Sequence, residues 1–227
     1  MYNSFLNSYD YQRNLDSHMM KNTEWGAVTY LSHSKYGIGK KVTTNNNSSY
    51  KTGYSIVPSL YQETTPIVAG DANSYNSAYN TENGYNASTT GNISGIYDMS
   101  GGAWEYTTGY ISGNFGSSGF NTTTVASFGV KYFDAYNASS REETYHYRIF
   151  GDATGEKGPF KNYTDEGGQA IYHSNWYKDD SRFIDSTYPW FARGGHTTHG
   201  NLASIMCFSR DDGGAYTYMG YRIVLTP

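Results

Sequence analysis

The sequence predicts a single α+β domain over residues 1–227, on three observations. One long stretch near the N-terminus has helical spacing, and four short apolar or alternating segments read as strands. Long polar stretches without periodicity separate them, a pattern that suits an α+β domain of few helices and much irregular chain. The 227 residues fit one domain with a buried core, and no repeat of fixed period is visible.

The segment "HMMKNTEWGAVTYLSHSKYG", His18–Gly37, predicts the main helix. Asn22 or Thr23 supplies a capping side chain, Glu24 favours the helix dipole, and Gly37 supplies a stop. Trp25, Val28 and Leu31 form an apolar stripe, with Ala27 and Met20 beside it. Tyr2 to Tyr9 reads as the remnant of an earlier helix with Phe5, Leu6 and Tyr9 on one side. Residues 42–92 and 112–166 are polar and aperiodic, and are expected to be long surface insertions. "GIYDMSGGAWEYTTGYI", Gly95–Ile111, predicts a turn and a strand, and "PWFARGG", Pro189–Gly195, a strand entering a glycine turn. "LASIMCFSR", Leu202–Arg210, alternates with Leu202, Ser204, Met206 and Phe208 on one side. "YMGYRIVL", Tyr218–Leu225, predicts a C-terminal strand.

Composition excludes several functions. The net charge is −4 and no basic block occurs, so neither nucleic acid nor anionic lipid is an expected partner. No apolar run approaches the ~18 residues of a membrane span. The N-terminus lacks a basic region followed by an apolar core, so it is not read as a signal peptide. A single cysteine leaves no internal disulfide and no Cys-based zinc site. The 25 tyrosines and 26 glycines match the usage of binding loops, where Tyr gives contact area at low entropy cost.

Four segments, in order, resemble the formylglycine-generating-enzyme-like proteins. "MKNTEWGAV" resembles their "LPTEAEWEYA" helix, "GIYDMSGGAWEYT" their "GLYDMxGNVWEW", "FARGGH" their "xRGGSW" and "GYRIV" their closing "GFRVV". The resemblance implies a C-type lectin fold: two helices beside a small twisted antiparallel sheet, with much irregular chain. The family's first strand and helix look missing or shortened, which suits a chain that starts inside a larger protein or borrows a strand. Trp25 and Trp104 would anchor the core, with Arg193, Arg222 and Glu105 as hydrogen-bonding staples. Asp98 and Glu105 are the weaker candidates for calcium, because no dense acidic loop supplies the six to eight oxygens the ion takes. No other cofactor is expected.

The chemistry of that family does not carry over. Its enzymes hold copper between two cysteines soon after the "RGG" turn, whereas this chain has Cys207 alone. His196 and His199 have H-x-x-H spacing, but Gly194, Gly195 and Gly200 argue against the helix such a zinc pair needs. Cys207 lies in an alternating strand without an oxyanion turn behind it, so a Cys–His nucleophile is not favoured. The chain reads as a non-enzyme, with a degenerate oxidase of the same fold as an alternative.

Residues 190–225 resemble the variable region of proteins diversified by retroelements, "WFxRGGxxxxGxxAGVFxFxxxxGxAxxxxGFRVVL". Fixed positions match at Trp190, Phe191, Arg193, Gly194, Gly195, Gly200, Ala203, Phe208, Gly213, Ala215, Gly220 and Arg222. Between them lie Ala192, His196, Thr197, Thr198, His199, Cys207, Ser209, Arg210, Asp211, Tyr216, Thr217 and Tyr218. Each is reachable from an AAY codon by changes at adenine. Ser204, Ile205 and Met206 depart from the pattern, and Met219 is not reachable from such a codon. The resemblance implies a binder of protein or glycan on a cell surface, outside the cell or on a phage particle. The twelve variable positions would form its face, with Tyr216, Tyr218 and Arg210 as hot spots. A structural or adhesive domain without targeted variation is the alternative.

Overall fold

A computed structural model describes residues 1–45, 81–137, 149–154, 161–164, 170–174, 177 and 179–226. It is an α+β protein. The order is α1 (Tyr2–Tyr11), β1 (His18–Met19), α2 (Asn22–His33), β2 (Trp104–Ile111), α3 (Thr122–Phe128), β3 (Asp134–Tyr136), β4 (Lys161–Thr164), β5 (Ala170–Ser174), β6 (Trp190–Arg193), β7 (Phe208–Asp211), β8 (Met219–Tyr221) and β9 (Ile223–Val224).

The β-branched and aromatic run "WEYTTGYI" makes β2 the central strand. It pairs antiparallel with β6, and β6 antiparallel with β7. Along its other edge β2 pairs in parallel with β8 near its start and with β3 near its end. The sheet is therefore mixed, and among the described residues three α-helices accompany it, where the resemblance implied an antiparallel sheet and two helices. β1 pairs antiparallel with β9, and β4 with β5.

The main helix is shorter than the sequence predicts. His18 and Met19 leave it because they pair with Val224 and Ile223. Lys21 occupies the cap position, and its N–H donates to Glu24 Oε2 at 2.8 Å, so the first-turn carboxylate caps the helix rather than Asn22 or Thr23. The buried positions are Asn22, Trp25, Gly26, Thr29 and Ser32. The apolar stripe is thus displaced: Leu31 is 61% exposed and Ala27 is exposed, leaving Trp25 as the apolar anchor. A β-carbon on Gly26 would lie 2.0 Å from the Gly151 carbonyl oxygen, so α2 packs against that turn backbone to backbone.

α1 is a full helix. Its Phe5 packs on Phe120, Phe128 and Phe133 with ring centroids 4.9–5.4 Å apart. The polar stretch 112–166 is not all loop. Within it Asn121 caps α3 by accepting from Thr124 N–H at 2.9 Å, and β3 gains its place by pairing with β2. Residues 46–80, 138–148, 155–160 and 165–166 of the two expected insertions lie outside the described residues.

The alternating segment 202–210 is a strand only from Phe208 onward. Ser204 Oγ accepts the N–H groups of both Met206 and Cys207 at 3.0 Å and donates to Asp179, which bends the chain into a turn. Ala203 to Phe208 are all buried, so no single side of this segment faces solvent.

A buried polar centre joins α2 to the sheet. Arg193, fully buried, donates to Asn22 Oδ1 at 3.2 Å and to the Asp152 carbonyl at 3.1 Å. Its guanidinium lies 5.7 Å from both the Trp25 and Phe208 rings, within cation–π range. The Asp152 carboxylate accepts from Tyr136 Oη at 2.6 Å and from Thr154 N–H at 2.8 Å. Arg193 is thus the staple the sequence suggested. Arg222 is another: its Nη2 lies 2.8 Å from Glu105 Oε1 and its Nε 2.6 Å from Oε2.

Candidate binding face

Residues opposite one another in a ladder share a face of the sheet, and neighbours along a strand alternate. Phe191 and Arg193 therefore share one face with Arg210 and Phe208, and that face packs toward α2. Tyr106, Ala192 and Ser209 line up on the other face, with Trp190 opposite Asp211.

Trp104 is the centre of this second face. It is buried with Ala192 and Cys207, and Tyr218 and Met219 pack against that cluster. Two of the predicted histidines close over the indole, His199 with its ring centroid 5.1 Å away and His196 at 6.4 Å. The two imidazoles lie 3.8 Å apart. Gly194 and Gly195, with φ of 85° and 80°, turn the chain out of β6 and place them there. On the other side Tyr216 stacks on Tyr218 at 5.3 Å with planes 11° apart, and its hydroxyl lies 3.1 Å from Asp212 Oδ1. Tyr106 donates to the Asp211 carboxylate and to the Gly214 carbonyl at 3.1 Å. A cavity of about 370 Å³ opens beside them, lined in part by Tyr106, Tyr216, Thr217 and Met219.

The predicted positions divide by placement. Tyr216, Thr217 and Thr198 are exposed, and His196, His199, Ser209, Asp211 and Tyr218 are partly so. Ala192, Thr197 and Cys207 are buried, contrary to the expectation that all twelve present a side chain to a ligand. Ala192 and Cys207 lie under Trp104, and the Thr197 N–H donates to the Gly102 carbonyl at 3.0 Å. Arg210 is the other departure. It points to the opposite face, pairs with the buried Asp185 carboxylate and lies 5.5 Å from the Tyr188 ring.

Electrostatics make the histidine end of the face neutral. Burial pushes His196 down to about 4. Burial, with the charges of His196 and Arg182 behind it, pushes His199 down to about 3. Burial raises Asp211, partly offset by the Tyr106 hydroxyl. Near the start of β2 burial pushes Glu105 up to about 7 against the pull of Arg222.

No protein family matches this chain, and no curated protein resembles it closely enough to be counted a relative. Among the described residues no three His, Cys, Asp or Glu side chains converge as metal ligands. Asp98 accepts from Asn45 Nδ2 at 3.0 Å, and Glu105 is engaged by Arg222. No described helix is long and apolar enough to cross a membrane.

The sequence reading missed Tyr106 and Asp212. The signal for Tyr106 was present: in "WEY" it stands two residues from Trp104 and shares its face of the strand. Asp212 carried none, since its contact with Tyr216 depends on how the 212–217 turn folds back.

Proposed function

We propose that this protein is a non-enzymatic binder of the retroelement-diversified, C-type-lectin-fold type, acting outside the cell, on its surface or on a phage particle. One observation supports this reading above the rest. Positions that the sequence pattern marks as variable, scattered from 192 to 218, gather around Trp104 as one patch: Ala192 and Cys207 below, His196 and His199 at one end, Tyr218 and Tyr216 at the other. Side chains there can change while the Trp25 and Arg193 centre stays intact, because it lies on the opposite face of the sheet. The ligand is a protein or a glycan, held on stacked tyrosines that lose little entropy on binding.

Two tests bear on it. Sister genes should differ at the exposed positions of this face and agree at Trp104, Arg193 and Gly194, with a reverse transcriptase and a template repeat nearby. Sister genes that vary evenly along the chain would leave a structural or adhesive domain. A binding screen against displayed surface proteins and a glycan array should yield a ligand lost by Tyr216→Ala with Tyr218→Ala. Arg210→Ala, on the opposite face, should keep that ligand while lowering the melting temperature, since it strands the buried Asp185 carboxylate. Retention by the tyrosine variant would move the site off this face.

A further inference from the structure

The two edges of the main sheet differ. At β7 the backbone of Phe208 is engaged by the 180–182 segment: its N–H donates to Asp180 at 3.1 Å and its carbonyl accepts from Arg182 at 2.9 Å. Among the described residues the C-terminal strand, β8 running into β9, has nothing equivalent.

Apart from the Met219 N–H, which donates to the Tyr216 carbonyl at 3.2 Å, its backbone hydrogen bonds among the described residues run inward. The Tyr218 carbonyl accepts from Trp104 N–H at 3.1 Å, the Arg222 carbonyl accepts from Met20 N–H at 3.0 Å, and Thr226 N–H donates to the Leu15 carbonyl at 2.8 Å. The pairings of Gly220 with Glu105 and of Val224 with His18 continue the series. Strand parity then turns the N–H and C=O groups of Tyr221, Ile223 and Leu225 to the outer edge. Among the described residues no strand pairs with that edge.

The side chains of the same three residues face solvent. Tyr221 and Ile223 are each 37% exposed and Leu225 is 44% exposed. From Tyr221 to Leu225 this edge carries no lysine or proline of the kind that guards against pairing. Its row of alternating donors and acceptors is complementary to one thing, another β-strand.

We propose that this edge is a dimer interface, in which two copies pair their C-terminal strands antiparallel about a two-fold axis at Ile223. The choice of a second copy rests on self-complementarity. With Ile223 opposite Ile223 of the partner subunit, Tyr221 falls opposite the other copy's Leu225 on both sides of the axis. Every outward N–H and C=O of the three residues is then paired, about six backbone hydrogen bonds in all. Each tyrosine ring meets a leucine across the strands, a favourable cross-strand pair. No charge opposes its like, since the outward residues are neutral and Arg222 is held inward by Glu105. The contact is isologous and closes on itself, so it ends at a dimer.

Sedimentation velocity of the full chain across micromolar to submillimolar concentrations tests this. The expected wild-type result is a concentration-dependent shift to twice the monomer mass. Ile223→Pro removes an N–H that points outward and leaves the bonds to β1 in place, so it should sediment as a folded monomer. Ile223→Lys serves if the proline variant loses its circular dichroism spectrum: a buried pair of ammonium groups at the axis should likewise give monomer. A wild type that remains monomeric throughout overturns the proposal and leaves the edge to a strand of another chain. A dimer that persists in a folded Ile223→Pro or Ile223→Lys variant overturns it too.

Discussion

Single residues carry the polar centre of this protein, and its energetics follow from burial. Arg193 is a cation without access to water, and Asp152 is the nearby carboxylate that lifts its pKa against desolvation. Removing one member of such a set leaves a buried charge uncompensated, which costs about 3–5 kcal/mol. Asp152→Ala is expected to lower the urea midpoint by that amount of stability with an unchanged slope. The histidines over Trp104 set a pH dependence of known sign. His199 titrates at about 3 in the folded chain against an ordinary value of 6.5, because burial disfavours its charge. The unfolded chain takes up the proton first, so this contribution to stability is whole above about pH 6.5 and is lost as the pH falls toward 3. Melting temperatures of His199→Gln should fall less steeply than wild type across that window.

At the scale of elements, backbone approach matters more than side-chain pattern. Glycine inside a helix ordinarily costs about 1 kcal/mol relative to alanine. Gly26 reverses that, since its missing β-carbon is what lets α2 meet the 151–152 turn. Gly26→Ala should therefore destabilise by about 1–3 kcal/mol despite the better helix former, measured by denaturant unfolding. The same closeness explains the misread helix face. An apolar stripe predicts burial when a helix packs on apolar side chains, and α2 instead lays Asn22, Gly26, Thr29 and Ser32 against backbone and the Arg193 network. The segment before β7 shows the other failure. Alternation in "LASIMCF" suggested a strand, but the Ser204 hydroxyl captures two N–H groups and makes a turn. A hydroxyl competing with the ladder leaves no mark on hydrophobic periodicity.

The whole molecule has two surfaces of interest on one sheet: the Trp104 face and the C-terminal edge. If two copies pair at Ile223, folding is linked to association. The wild-type melting temperature should then rise with protein concentration, while that of Ile223→Lys stays constant. Scanning calorimetry over a dilution series measures both. The placement of Arg210 also belongs to this scale. Composition marks Arg as an interface residue. Only the register Phe191 to Arg210 assigns it to the side of Asp185 and Tyr188.

The amino-acid order alone settled the α+β class, the existence of the main helix, the strands at Trp104–Ile111 and Trp190–Arg193, and the extended C-terminal segment, which the structure divides into Met219–Tyr221 and Ile223–Val224, with the glycine turn at Gly194 and Gly195. Those features depend on local periodicity, β-propensity and positive φ, which neighbouring residues decide. The tertiary structure decided which of the twelve marked positions reach solvent, why Cys207 and Ala192 lie beneath Trp104, and which backbone edge no described strand pairs with. Burial and edge exposure depend on β2 being brought to β6 and β8 from positions 80 or more residues apart, and no local window of sequence contains both partners.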